Sequence, residues 1–119
     1  MIPFSYRFHG HNSLRYVYKN GQVVRSRFAT LKSSTNKHRK LSRIAVVISK
    51  KVLKSAVLRN RVRRRVYEYI RQQMPRLNDN YDLVVIVTAS ELLTMPADEL
   101  TTQLEQLFVQ AGLYNPDKN

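Results

Sequence analysis

The sequence predicts an α/β (α+β) two-layer sandwich, with elements in the order αβββαβα and helices packed on a central mixed sheet. Three observations carry this expectation. Two β-branched runs, Arg43 to Ser49 (RIAVVIS) and Tyr81 to Thr88 (YDLVVIVT), have the pattern of strands covered on both faces. Between them lies an amphipathic stretch of about 20 residues, long enough to be a crossover helix joining parallel strands. A second amphipathic stretch follows, so the sheet has helices to bury its face against.

Residues 1–11 show no clear period and read as an extended arm. Asn12 or Ser13 can cap a short helix carrying Leu14, Val17 and Tyr18 at i, i+3 and i+4, with Gly21 placed to end it. Gln22 to Lys32 is rich in Val, Phe, Thr and Leu, and predicts one short strand followed by a longer one. Ser33 to Ser42 (SSTNKHRKLS) reads as a polar, basic loop, and Arg43 to Ser49 as a central strand. Lys54 to Met74 is the longest helical candidate, stopped by Pro75. At 100° per residue its Leu58, Val62, Val66, Tyr69 and Ile70 share one apolar arc. Asn60, Arg61, Arg63, Arg64, Arg65 and Arg71 occupy the rest. Arg59 lands within the apolar stripe, which is tolerable only if it sits in the first turn and reaches off the end. Asn78 to Asn80 reads as a turn before the second buried strand. Pro96 then opens a last helix with Asp98 and Glu99 in its positive first turn. Leu100, Leu104, Leu107, Phe108 and Ala111 form its buried face, Gly112 ends it, and residues 113–119 are left as a tail. No repeat or linker divides the chain, so residues 1–119 are expected to form one domain.

The 119 residues carry a formal net charge of +13, distributed very unevenly. Residues 1–67 hold 18 Lys and Arg and no Asp or Glu, whereas residues 68–119 hold 3 basic and 8 acidic side chains. The first part would repel itself unless a polyanion were its working partner. Nucleic acid is the leading candidate, because phosphate neutralisation and counterion release suit such a surface. An anionic membrane surface fits less well, since the helices lack a large Trp/Phe/Leu insertion face. The longest apolar runs, such as Ile44 to Ile48, stop at five residues, far short of a membrane span. The opening MIPFSYRFHGH lacks the apolar region of a secretory signal, so a cytoplasmic location is expected. Cysteine is absent, which excludes disulfides, thiolate zinc sites and cysteine nucleophiles together.

The informative segment is Ser49 to Glu68, SKKVLKSAVLRNRVRRRVYE. Its helix presents Arg61 and Arg64 one turn apart beside Asn60. Guanidinium groups at this spacing can contact phosphates along an RNA groove, each offering a planar fork of donors that stays charged. Asn60 adds a donor and an acceptor able to read a base edge or a 2′-hydroxyl. Arginines on an exposed helix face are often only solvated charge. Here five stand within seven residues and the first carboxylate, Glu68, comes after them, so only an anionic partner would offset their repulsion.

These residues resemble the bacterial ribonuclease P protein subunit. Arg43-Ile44-Ala45, Ser49-Lys50-Lys51, Ala56-Val57-Leu58-Arg59-Asn60-Arg61-Val62-Arg63-Arg64 and Glu68 follow that family's R-(I/V)-G-x-x-V-(S/A)-K-K and A-V-x-R-N-R-x-K-R-x-x-R-E signatures in order and spacing. Upstream, Leu14 to Gly21 (LRYVYKNG) is similar to the family's first helix, F-x-x-V-F-x-x-G. Three positions depart from the pattern. Ala45 stands where glycine is usual, Leu14 replaces an aromatic, and Arg65 and Tyr67 stand where Leu and Arg are common.

The resemblance implies the fold of the second domain of ribosomal protein S5. It also implies the small subunit of a ribonucleoprotein whose RNA performs Mg²⁺-dependent hydrolysis of precursor tRNA, releasing the 5′ leader. Carried over position by position, Lys50, Lys51, Arg59, Asn60, Arg61, Arg63 and Arg64 are the expected contacts to the catalytic RNA. Leu14, Arg15, Tyr18 and Lys19 fall on leader-facing positions, with Tyr18 offering a stacking face beside two cations. The expected partners are the catalytic RNA and precursor tRNA, with no membrane and no obligate protein partner, and Mg²⁺ held mainly by the RNA.

Two other readings compete. A self-contained nuclease would need clustered carboxylates or a His pair with a cationic partner. Asp79 and Asp82 flank a turn and are expected to do turn chemistry. His9 and His11 sit two apart in the arm, with His38 in the basic loop; two His without a third ligand make a weak metal signal and read as solvated side chains. A structural RNA-binder of ribosomal type would share the charge but not the spacing of the arginine helix.

Overall fold

The computed structural model describes residues 21–35 and 42–114. The elements in chain order are β1 (Gln22–Arg25), β2 (Ala29–Thr35), β3 (Arg43–Ile48), α1 (Ala56–Gln73), a 3-10 turn (Met74–Arg76), β4 (Tyr81–Val87), a second 3-10 turn (Ser90–Leu93) and α2 (Ala97–Gln110). The arm, the first short helix with Leu14, Arg15, Tyr18 and Lys19, and the three histidines lie outside the described residues.

The sheet order is β1-β2-β4-β3. β2 runs antiparallel to both β1 and β4, while β3 runs parallel to β4 with Ile44 opposite Leu83, Val46 opposite Val85 and Ile48 opposite Val87. This is the mixed sheet expected, and α1 is the crossover that the parallel pair requires. The reading of Arg43 to Ser49 as a central strand is corrected: among the described strands β3 stands at the end of the order and β4 in the middle. An apolar run reports how well a strand's faces are covered, not how many neighbours it pairs with. Ser33, Ser34 and Thr35, read as loop, belong to β2, where they pair with Leu83, Asp82 and Tyr81 of the seven-residue β4. The partner ladder outweighs the weak strand preference of serine.

α1 starts two residues later than expected, with Ser55 as its N-cap and Ser55 Oγ accepting from Leu58 N at 3.3 Å. It ends at Gln73, and Pro75 continues the chain only as a 3-10 turn. Its Val62, Val66, Tyr69 and Ile70 are buried against the sheet and α2, while Leu58, in the first turn, is half-buried. Leu100, Leu104, Leu107, Phe108 and Ala111 are buried as expected. Each large aliphatic or aromatic side chain removed from water contributes about 1.5–3 kcal/mol.

At the end of α2, Gly112 adopts φ +71°, its N–H donates to Val109 O at 3.0 Å and Leu113 N donates to Phe108 O at 3.3 Å. Those two bonds make a Schellman cap, with Leu113 and Phe108 as its apolar contact. The expectation of a tail from residue 113 is therefore corrected. Leu113 is buried and Tyr114 bridges to Leu77. Asn78 N donates to Leu113 O at 2.8 Å, and Tyr114 shares a 2.9 Å hydrogen bond with Tyr69, whose hydroxyl donates to Glu105 at 2.7 Å. Burial pushes the Tyr69 hydroxyl far above its ordinary value and that of Tyr114 up to about 12. Burial also pushes the Glu105 carboxyl up, but hydrogen bonds from Tyr69 and Arg76 outweigh it and leave the group below its ordinary range.

Candidate nucleic-acid interface

The chain leaves β3 at Ser49 and turns at once. Ser49 O accepts from Val52 N at 3.1 Å and from Leu53 N at 3.2 Å, so Lys50 and Lys51 are displayed on a hydrogen-bonded turn and are both exposed. Arg59, on the first turn of α1, reaches back and donates through Nη1 to Leu53 O and Lys54 O, both at 2.8 Å. This is the reach off the helix end that its place in the apolar stripe demanded. Arg59 thereby braces the turn that carries the two lysines.

One turn further, Asn60 and Arg61 are exposed, as is Arg64, and Arg63 is half-buried. Arg63 Nη1 donates to Asn60 Oδ1 at 2.6 Å. This bond uses one of the two lone pairs of Asn60 Oδ1, so the exposed side chain still offers both an acceptor and its amide N–H donors. The ion pairs among the described residues are Arg43–Asp82, Arg71–Glu68 and Arg76–Glu105. None of them includes Lys50, Lys51, Arg59, Asn60, Arg61, Arg63 or Arg64. Lys50, Lys51, Asn60, Arg61 and Arg64 are thus exposed on the turn and the adjoining helix surface, with Arg59 and Arg63 half-buried beside them, and none of the six cations is paired with a carboxylate among the described residues. Glu68 closes this face, its carboxyl held below its ordinary range by a hydrogen bond from Arg71.

Arg65 is the exception on the arginine run. Helical periodicity puts it on the solvent arc, but its Nη1 donates to Leu92 O at 2.6 Å and Leu93 O at 3.0 Å, and its Nη2 to Met95 O. It caps the Ser90–Leu93 turn and belongs to the fold. Helical angle alone could not show this, because the acceptors lie 27 to 30 residues away.

The competing nuclease reading finds no support at its aspartates. Asp79 Oδ1 accepts from Asn80 N at 2.7 Å, the turn chemistry expected. Asp82 departs from that expectation: it is 5% exposed and accepts from Arg43 Nε at 2.9 Å and Nη2 at 2.7 Å. This buried bidentate pair joins β3 to β4, and removing one partner of such a pair costs about 3–5 kcal/mol. Among the described residues no three His, Asp or Glu side chains gather as a metal would need.

Comparison with known proteins bears on the family and the fold. The family model described as Ribonuclease P matches residues 2–112. The ribonuclease P protein component of Symbiobacterium thermophilum is 34% identical over 109 residues, covering 92% of this chain and 93% of the relative. That of Chloroflexus aurantiacus is also 34% identical, covering 92% of this chain and 79% of its own. Among solved structures, the RNase P protein of Staphylococcus aureus superposes with a TM-score of 0.82 at 25% identity, over 92% of this chain and 98% of that one. The RNase P protein of Thermotoga maritima shares the fold at a TM-score of 0.77 and 21% identity, over 87% and 96% of the two chains. With a family match running nearly end to end and relatives of matching length, the chain belongs to the ribonuclease P protein family.

Proposed function

We propose that the Ser49–Lys54 turn and the basic face of α1 form the surface on which this protein grips the catalytic RNA of ribonuclease P. The protein is the non-catalytic component of that ribonucleoprotein, which processes tRNA 5′ leaders through the catalytic activity of its RNA. The observation that carries the proposal is the set of exposed cations, Lys50, Lys51, Arg61 and Arg64, that no carboxylate pairs among the described residues. Phosphates complete what the fold leaves open. Arg59 holds the lysine turn in place, and Arg63 steadies the Asn60 side chain through its bond to Oδ1, leaving the amide N–H groups for a base edge or sugar.

Mg²⁺ supplies the hydrolytic chemistry when bound by the RNA. As the non-catalytic component, the protein contributes binding and placement. Leu14, Arg15, Tyr18 and Lys19 are proposed to hold the single-stranded leader, on the strength of the family resemblance alone. No helix among the described residues is long and apolar enough to cross a membrane; a cytoplasmic location is proposed from the role in tRNA maturation.

Binding to the catalytic RNA is expected to weaken steeply with salt, each phosphate contact adding about 0.7–0.9 to the log–log slope. Arg61→Ala and Arg64→Ala are each expected to lower that slope by about one and to leave the melting temperature near that of the parent. An unchanged slope, or a large loss of melting temperature, overturns the assignment. Leader cleavage measured with and without the catalytic RNA separates this reading from the rivals: activity of the protein alone makes it a nuclease, and no stimulation at all makes it a structural binder. For the leader surface, Tyr18→Ala is expected to weaken binding of leader-bearing tRNA about 5- to 100-fold in the assembled enzyme. Leaderless tRNA serves as the control, and equal losses for both substrates remove Tyr18 from the leader path.

A further inference from the structure

Arg27 and Phe28 form the tip of the β1–β2 hairpin, and the tip is rigidly built. Ser26 N and Ser26 Oγ both donate to Ala29 O, at 2.9 and 3.1 Å, while Ser26 Oγ accepts from Phe28 N at 3.3 Å and Ala29 N at 3.2 Å. Thr88 N donates to Phe28 O at 2.9 Å, fastening the tip to the end of β4. The Arg27 guanidinium stands over the Phe28 ring, 5.5 Å from its centroid, within cation–π range. Beside this pair opens a cavity of about 290 Å³, walled in part by Met95 and Pro96 and carrying the carboxylates of Glu91 and Glu99. Arg65, through its bonds to Leu92, Leu93 and Met95, ties that wall to α1.

The cavity lies at the same end of the sheet as the Lys50–Lys51 turn. Ala29 and Ile48 both pair with Val87, so the hairpin tip and the Lys50–Lys51 turn leave the same end of the sheet. Only β4 separates β2 from β3, which puts the two about 10 Å apart at strand spacing. Arg25 is exposed on the hairpin as well.

We propose that this cavity receives one unpaired RNA nucleobase bearing an exocyclic amino group. Its volume is at the lower end of small-ligand pockets and suits a single base. The Arg27–Phe28 pair supplies the stacking face that unpaired bases seek, as aromatic rings and guanidinium planes do in RNA recognition. Glu91 and Glu99 accept from an amino group and repel a carbonyl oxygen at the same place, so cytosine fits where uracil does not. The phosphates on either side stay outside the acidic wall, with the exposed Arg25 of the same hairpin to meet them. The site lies apart from the α1 face and rests on the proposed function only in taking RNA as the partner.

The test uses the full chain and two probes, pentacytidylate and pentauridylate, which differ at the base edge. The parent is expected to prefer the cytidine pentamer by about 5- to 10-fold. Arg27→Ala is expected to weaken both by about 5-fold or more, through loss of stacking. The double variant Glu91→Gln, Glu99→Gln is expected to abolish the preference with only a small loss of melting temperature, since both side chains are exposed and Glu99 gives up no more than its favourable place in the first turn of α2. Equal affinity of the parent for the two pentamers overturns the proposal, as does a preference that survives the double variant. Because this comparison omits the catalytic RNA, its failure is distinct from failure of the α1 contact. Chemical probing of the assembled enzyme adds a second measurement. An unpaired base shielded by the parent is expected to become reactive with Arg27→Ala and to stay shielded with Arg61→Ala. The reverse pattern overturns the proposal.

Discussion

Arg61 and Arg65 stand four apart on α1 and carry the same charge, yet three backbone carbonyls hold the guanidinium of Arg65 while Arg61 faces outward. Their substitutions are therefore expected to separate. Arg65→Leu, which installs the residue common in the family, removes charge-assisted hydrogen bonds and leaves the Ser90–Leu93 turn uncapped. The expected cost is about 1–3 kcal/mol in denaturant unfolding, with the salt slope of RNA binding kept. A slope that falls as it does for Arg61→Ala would place Arg65 on the RNA instead. The Arg43–Asp82 pair teaches the same lesson about partners. Its members are 39 residues apart and meet only because β3 and β4 run parallel in register, so neither aspartate nor arginine could be assigned from its neighbours.

At the scale of elements, the end of α2 makes a clean probe of backbone conformation. A Cβ at Gly112 would meet nothing within 4 Å, so Gly112→Ala tests the cost of positive φ without a steric clash. The expected loss is about 1–2 kcal/mol in unfolding free energy, with RNA affinity unaltered. No loss would mean the Schellman turn relaxes freely. Both helices were legible because an apolar period near 3.6 marks the buried arc directly, and every core residue anticipated on α2 is buried. The strands were legible as strands, but the position of β3 at the end of the order was not. The β2 extension through Ser33, Ser34 and Thr35 was hidden as well, because it depends on the length of β4 rather than on its own residues. The two 3-10 turns escaped because three or four residues show no period. For the basic site, charge and spacing pointed to a turn and a helix whose Lys50, Lys51, Arg61 and Arg64 are exposed; that Arg65 turns inward depended on carbonyls supplied from far along the chain.

For the whole molecule, the division of charge sets two responses to salt that oppose each other. Added salt screens the repulsion among the 18 cations of residues 1–67 and is expected to raise the melting temperature of the free protein. The same addition weakens its hold on RNA. Thermal melts of the free protein at about 0.05 and 0.5 M salt check the first effect. A falling melting temperature would show that the carboxylates of residues 68–119 already balance the folded charge. The sheet order has a consequence for how the chain comes into being. β4 is the hydrogen-bonded neighbour of both β2 and β3 and follows them in sequence. Of the described strands, only the β1–β2 hairpin can pair before Tyr81 has been synthesised. The arginine helix therefore leaves the ribosome ahead of the strand that completes its sheet and ahead of nearly every carboxylate in the chain. Synthesis from the N-terminus thus exposes the RNA-seeking half first and supplies the means to fold it last.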